Sequence, residues 1–206
     1  MRIIRTFCRS FRSRMPVFLC SLALGFGASA ARAQETVVTL DPAKTKVQFT
    51  LGATAHTVHG TFKVKTGRIH FDTATGNAGG EIIVDARSAD TENAGRDEKM
   101  HVDVLKSEQF GEITFVPAHV RGAIASVGTS RLQVSGTLRL LSQDHGVTWE
   151  FTVQPAAGNQ VVATTHFEVP YVQWGLKNPS SFLLRVDKSV DIEVHALGEI
   201  APPPQR

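Results

Sequence analysis

The chain has 206 residues, with 22 lysines and arginines against 19 aspartates and glutamates, a formal net charge of +3. Its two cysteines, Cys8 and Cys20, both lie in the first twenty residues. This excludes a disulfide framework or a Cys-based zinc module anywhere downstream.

The basic charge belongs to the N-terminus. Arg2, Arg5, Arg9, Arg12 and Arg14 precede an uncharged run from Met15 to Ala31, and Ala28-Ser29-Ala30-Ala31-Arg32-Ala33 closes the segment. A basic start, an apolar middle and small residues at Ala31 and Ala33 are the pattern of a cleavable signal peptide spanning 1–33, cut before Gln34. The apolar run is shorter than the ~20 residues of a membrane span. Cys20 follows bulky Phe18 and Leu19, which argues against lipid attachment, and the absence of an adjacent arginine pair argues against twin-arginine export. The exported chain is expected to be periplasmic. Without the six arginines of this segment, 16 basic residues face 19 acidic ones, a net charge of −3. A nucleic-acid partner thereby loses its electrostatic support. About 173 residues remain, enough for one domain with a substantial core.

From Val37 onward, apolar and polar residues alternate with a period of two, the signature of half-buried strands. Val47, Phe49 and Leu51 share one face, and so do Phe62 and Val64. The phase then slips at Thr66-Gly67, which predicts a bulge before Ile69 and Phe71. Weaker strands are read at Gly80–Arg87 and Ile113–Val120. Cleaner ones carry Leu132, Val134, Gly136, Leu138 and Leu140; then Val147, Trp149, Phe151 and Val153; then Val161 to Val169; then Val190 to Ala196. Turn signals separate them at Asp72–Asn77, Gly122–Gly128, Ser142–Gly146, Pro155–Asn159 and Asn178-Pro179. Only Ala94–Ser107 reads as a helix, with Met100, Val104 and Leu105 at helical spacing and Asn93 or Thr91 as its cap. Pro202–Arg206 closes a loose tail, 201–206. The fold class is all-β and antiparallel, one domain over 34–200 with one short helix in a connection. About eight strands close either as a two-sheet sandwich or as an eight-stranded barrel able to hold one small ligand. The inward aromatics Phe49, Phe62, Phe71, Phe115, Trp149, Phe151 and Phe167 favour the barrel, although they would also suit a solid core.

Several stretches in order resemble the YceI-like family of exported bacterial lipocalin-like proteins: LDPAKTKVQFTL (40–51), VHGTFKVKTGRIHFD (58–72), GEIIVDARSADTENAGRDEKM (80–100), EITFVPAHV (112–120) and LQVSGTLRL (132–140). The resemblance implies a lipocalin-like barrel binding a long apolar molecule, a polyisoprenoid, isoprenoid quinone or fatty-acyl chain. On this reading Phe49, Leu51, Phe62, Val64, Phe71, Phe115, Leu138, Trp149, Phe151, Phe167 and Trp174 form the ligand site. No cofactor is expected beyond such a lipid. The partners are that ligand and a transient membrane or membrane protein, and the protein is a monomer or homodimer. Departures lie at Phe110-Gly111-Glu112, where the family commonly has Tyr-Pro, and at Tyr171, which stands where an arginine would before Trp174-Gly175.

Competing chemistry is poorly supported. His56-x-x-His59 is the only tight histidine pair among eight. In extended chain, residues three apart point to opposite faces, so no metal site is expected. No Gly-x-Ser-x-Gly elbow occurs, and Ser135 lies outward in a regular strand, so the chain is not read as an enzyme. Asp85, Asp90, Arg96 and Asp97 are read as hydrogen-bonding and ion-pairing groups that fix the helix entrance. Two rivals stay open: a filled barrel acting through protein partners, and an enzyme modifying a lipid inside the barrel.

Overall fold

Nine strands carry the alternation in the computed structural model, which describes residues 35–54, 56–182 and 184–201. They are β1 Glu35–Leu40, β2 Lys46–Leu51, β3 Val58–Asp72, β4 Ala78–Asp90, β5 Glu112–Arg121, β6 Ser130–Leu140, β7 Gln143–Pro155, β8 Gln160–Val169 and β9 Val190–Ile200. Among the described residues one short helix, α1 Ala94–Lys99, lies between β4 and β5 and widens into a π-helical stretch at Met100–Leu105. The segment 1–33 expected to be a signal peptide and the tail Pro202–Arg206 lie outside the described residues.

The strands close into a lipocalin-like antiparallel barrel with eight positions, because β1 and β2 share one. β2 pairs with the first part of β3 and the start of β9 (Val47↔Phe62, Val47↔Val194). β1 pairs with the far part of β3 and the end of β9 (Val38↔Ile69, Val38↔Ile200). The jog between them is held by Thr45 Oγ1 donating to the Asp41 carbonyl at 2.8 Å and by Asp41 N donating to the Leu197 carbonyl. β3 also pairs with β4, and each later strand pairs with the next. Closure leaves every strand with a neighbour on both sides and removes the exposed edges of an open sheet.

The phase slip in β3 is a bulge. Val64 and Thr66 oppose the consecutive Val84 and Ile83, so Lys65 is the extra residue. Before it Val58 and Val64 are buried; after it Gly67 and Phe71 are. At the β6–β7 hairpin the structure corrects the turn expected at Ser142–Gly146. Pairing runs through Arg139↔Asp144 and Leu138↔His145, and the turn is only Leu141-Ser142, both at positive φ (51° and 60°). Left-handed values at both central residues match the right-handed strand twist of a two-residue hairpin.

Outward positions such as Lys63, Arg68, Arg139, Glu150 and Glu193 are charged and exposed. An apolar interior with a polar outside is the reverse of a membrane-spanning barrel. No helix among the described residues is long and apolar enough to cross a membrane.

Candidate apolar cavity and its mouth

Two strand glycines make room for aromatic rings inside the barrel. A Cβ on Gly60 would lie 2.3 Å from the Phe49 ring and 2.7 Å from the Asp90 carbonyl oxygen. Phe49 is the strand partner of Gly60, so its ring lies over the glycine and reaches Phe62 at 5.2 Å. Gly136 serves Phe115 in the same way, its absent Cβ falling 2.9 Å from that ring and 2.4 Å from the Val116 carbonyl. Phe115 then contacts Trp149 at 5.1 Å, and Trp149 stacks on Phe167 at 3.8 Å. One aromatic band therefore crosses the β5–β8 wall, while the Phe49–Phe62 pair lies across the ring of strands on β2 and β3.

These rings do not meet in the middle. Phe62, Trp149, Phe151 and Phe167 point inward yet stay partly accessible, because they face a cavity of about 940 Å³. Its size is near the top of the ~300–1,000 Å³ typical of ligand sites. The four buried hydroxyls in its lining are already used: Thr165 Oγ1 donates to the Glu150 carbonyl at 2.7 Å, Thr45 Oγ1 to that of Asp41, Thr91 Oγ1 to Asp97 Oδ1 and the Tyr171 hydroxyl to the Asp187 carbonyl. The barrel wall thus offers a ligand dispersion and shape rather than hydrogen bonds.

Polar groups gather only at the end where β2–β3, β4–β5 and β8–β9 are joined. His56, Asn93, Arg96, Glu98, Lys99 and Ser181 border the cavity there. The helix entrance is fixed by Thr91, whose N–H and hydroxyl both donate to Asp97 Oδ1 (3.0 and 2.5 Å). The Arg96 guanidinium donates to the hydroxyl and carbonyl oxygens of Thr91 at 2.7 and 2.6 Å. Asn93 caps α1 through the Arg96 N–H. Asp90 and Asp85 are used elsewhere, accepting from the N–H groups of Glu92 and Arg87. The four-residue polar cluster is therefore structural, and Arg96 clamps a threonine rather than pairing with either aspartate. His101 joins the π-helical stretch to β4, its Nε2 lying 3.0 Å from the Ala89 carbonyl oxygen and its Nδ1 3.0 Å from Ser107 Oγ. On the opposite lip Tyr171 donates its hydroxyl to the Asp187 carbonyl at 2.6 Å. Burial, reinforced by the Asp187 carboxylate, pushes that phenol up to about 12.

Of the eleven residues singled out in the sequence, nine lie on the cavity wall: Phe49 and Leu51 on β2, Phe62 and Val64 on β3, Phe115 on β5, Leu138 on β6, Trp149 and Phe151 on β7, and Phe167 on β8. The other two do not. Phe71, 3% exposed, is packed in the core at the far end of the barrel. Trp174 stacks on His145 at 4.1 Å, nearly parallel, packed against the buried clusters and outside the cavity lining. Wall residues not singled out include Met100, Val104 and Leu105 beneath the helix and Leu176 and Leu184 in the β8–β9 connection. The helical spacing of the first three was visible in the sequence; the irregular β8–β9 connection has no period that would have revealed the other two. His59 lies outside, 3.1 Å from Thr50, apart from His56 at the mouth. No group of three or more metal-ligating side chains gathers among the described residues.

Most of the barrel and the helix at its mouth fall within one matched domain. Residues 38–197 match the model of the YceI-like domain. The chain belongs to the YceI-like family. Two solved structures are similar to this YceI-like chain. One is a polyisoprenoid binding domain from Saccharophagus degradans, described as implicated in plant cell wall breakdown, with 16% identity and a TM-score of 0.63 over 80% of this chain and 98% of that one. The other is BcnA from Burkholderia cenocepacia, with 18% identity and a TM-score of 0.61 over 77% and 98%. At such identities the likeness establishes the fold. No curated protein matches the sequence.

Proposed function

We propose that this YceI-like protein is an exported, periplasmic binding protein that carries or stores one long apolar chain, a polyisoprenoid, isoprenoid quinone or fatty-acyl chain, inside its barrel. The observation that carries this reading is the cavity, about 940 Å³ and walled by aliphatic and aromatic side chains from most of the strands. If each chain carbon takes up roughly the ~30 Å³ share of a water molecule, there is room for on the order of thirty carbons. Burying such a chain lowers its free energy by about 0.8 kcal/mol per CH₂, offset by the cost of ordering it. The likeness to the polyisoprenoid binding domain from Saccharophagus degradans supports the ligand class, and the pattern of residues 1–33 supports export. The role is binding rather than catalysis: the buried hydroxyls of Thr45, Thr165 and Tyr171 donate to main-chain carbonyls, and Thr91, Asn93 and Arg96 at the mouth are bonded within the helix entrance.

The chain has two tryptophans, Trp149 on the cavity wall and Trp174 stacked on His145 outside the cavity lining. Delipidated protein titrated with an isoprenoid quinone should lose fluorescence saturably. The loss should persist in Trp174→Phe, which reports Trp149 alone, and shrink in Trp149→Phe. A linear, unsaturable loss in every variant would contradict the proposal.

A further inference from the structure

The barrel wall is not stitched evenly. β6 pairs with β7 along its whole length, from Ser130↔Val153 to Leu140↔Gln143, and β8 pairs with β9 from Gln160↔Glu199 to Val169↔Val190. Between β7 and β8 the ladder joins only Thr152–Pro155 to Val161–Thr164. Continued toward the mouth, that register sets Phe151 opposite Thr165, Trp149 opposite Phe167 and Val147 opposite Val169, but the ladder does not extend there. The stretch 146–151 amounts to about 20 Å of wall at ~3.3 Å per residue. Side chains close this seam instead. At its lower end Thr165 Oγ1 donates to the Glu150 carbonyl at 2.7 Å, an acceptor that a continued ladder would give to a β8 N–H. In the middle Trp149 stacks on Phe167 at 3.8 Å. At the top Trp174, in the turn after β8, stacks on His145 at 4.1 Å, and the buried His145 Nε2 adds no hydrogen bond to that contact. The mouth is tied differently. Thr54 N–H donates to the Arg185 carbonyl and Asp187 N–H to that of Gly52, both at 2.9 Å, and Lys177 reaches Asp103 on the π-helical stretch at 2.8 Å. Opening the mouth breaks backbone bonds and an ion pair, whereas opening the seam breaks one hydroxyl bond and parts stacked rings. Trp149, Phe151 and Phe167 line the cavity, so an apolar chain passing between the strands replaces the ring contacts that it disrupts. Local opening follows the path with the fewest bonds to lose.

We infer that the apolar chain enters and leaves the barrel sideways, between the mouth-end halves of β7 and β8, with the Trp149–Phe167 stack as the gate. This rests on the carrier reading, and the test separates the two. Residues 34–206 contain no cysteine, so cross-links can be placed at will. Glu150 and His166 are exposed and oppose each other in the continued register; Glu150→Cys with His166→Cys locks the seam by a disulfide. Thr54→Cys with Arg185→Cys locks the mouth. Uptake of an isoprenoid quinone by delipidated protein is followed as quenching of Trp149, each lock oxidised against the same protein reduced. The oxidised seam lock should slow uptake at least about tenfold and the mouth lock should leave it unchanged. Uptake that the seam lock does not slow, or that the mouth lock slows as much, overturns the gate and leaves the carrier reading standing. No quenching in the wild type overturns both. Amide exchange followed by NMR tests the seam without ligand or cross-link. The Glu150 carbonyl faces β8, and so do the N–H groups of Thr148, Glu150, Thr152 and Gln154, because alternate residues of a strand point their backbone groups the same way. The Thr148 and Glu150 amides should exchange at least about tenfold faster than those of Thr152 and Gln154, and equal protection of the four overturns the inference.

Discussion

The difference between a hollow and a filled barrel should show in two phenylalanine truncations, Phe151→Ala and Phe71→Ala. Both side chains point inward from strands and pack against the same buried cluster. Phe71 is 3% exposed and away from the cavity wall, so removing its ring loses transfer energy and leaves a new void, together about 3–5 kcal/mol. Phe151 stands on the wall of an existing space of about 940 Å³. Truncation there enlarges that space rather than creating one, so the void penalty largely disappears. The loss should be close to the transfer value alone, about 2 kcal/mol. The assay is urea denaturation of delipidated protein, comparing midpoints at unchanged slope, with lipid per protein measured before delipidation. Retained lipid should fall in Phe151→Ala and not in Phe71→Ala, because a ligand that binds only the folded state is held by the wall. Equal losses of 3–5 kcal/mol for both variants, with no lipid in the wild type, would refute the hollow-barrel argument.

Other consequences concern single residues. Gly60→Ala should cost about 1–3 kcal/mol by driving a methyl group into the Phe49 ring and the Asp90 carbonyl; a neutral result in thermal unfolding would mean the ring does not lie over the glycine. Asp97→Ala leaves the Thr91 N–H and hydroxyl without their acceptor and should cost about 1–3 kcal/mol, with faster hydrogen exchange in α1 than in β6 as the local readout. Tyr171 is the sole tyrosine, so its phenolate absorbance can be titrated directly. The folded midpoint should be near 12, against about 10 in denaturant. Because the folded state holds this proton more tightly, its contribution is fully present below pH ~10 and is lost as pH rises toward about 12. Tyr171→Phe should flatten that alkaline decline, and a folded midpoint near 10 would rule out the buried, bonded phenol.

Much of the architecture was legible because strand alternation is a local signal. Val64, Ile69 and Phe71 reveal the β3 bulge through their change of parity, and the structure places the extra residue at Lys65, one position before the expected Thr66-Gly67. Gly60 and Gly136 stand within strand segments of the sequence, but nothing local says which rings lie over them. The turn at Leu141-Ser142 was missed because neither residue advertises positive φ, whereas Gln143–Gly146 resembles a turn and is strand. The sharing of one barrel position by β1 and β2 depends on pairing with β9, some 150 residues away, which no local pattern encodes. Alternation assigned Phe71 and Phe151 to the inward face, but it carries no information on depth. Phe71 therefore looked like a wall residue although it is packed in the far core. Trp174 lies in an irregular segment, where period-two reasoning has nothing to say.

The central claim is that the barrel interior holds a long apolar chain, and native mass spectrometry of protein purified from its own host tests it most directly. A stoichiometric mass increment that disappears on organic extraction is expected, with an extracted species carrying a prenyl or acyl chain of on the order of thirty carbons. Only the bare protein mass, both as purified and after incubation with polyprenyl, quinone and fatty-acyl lipids, would contradict it.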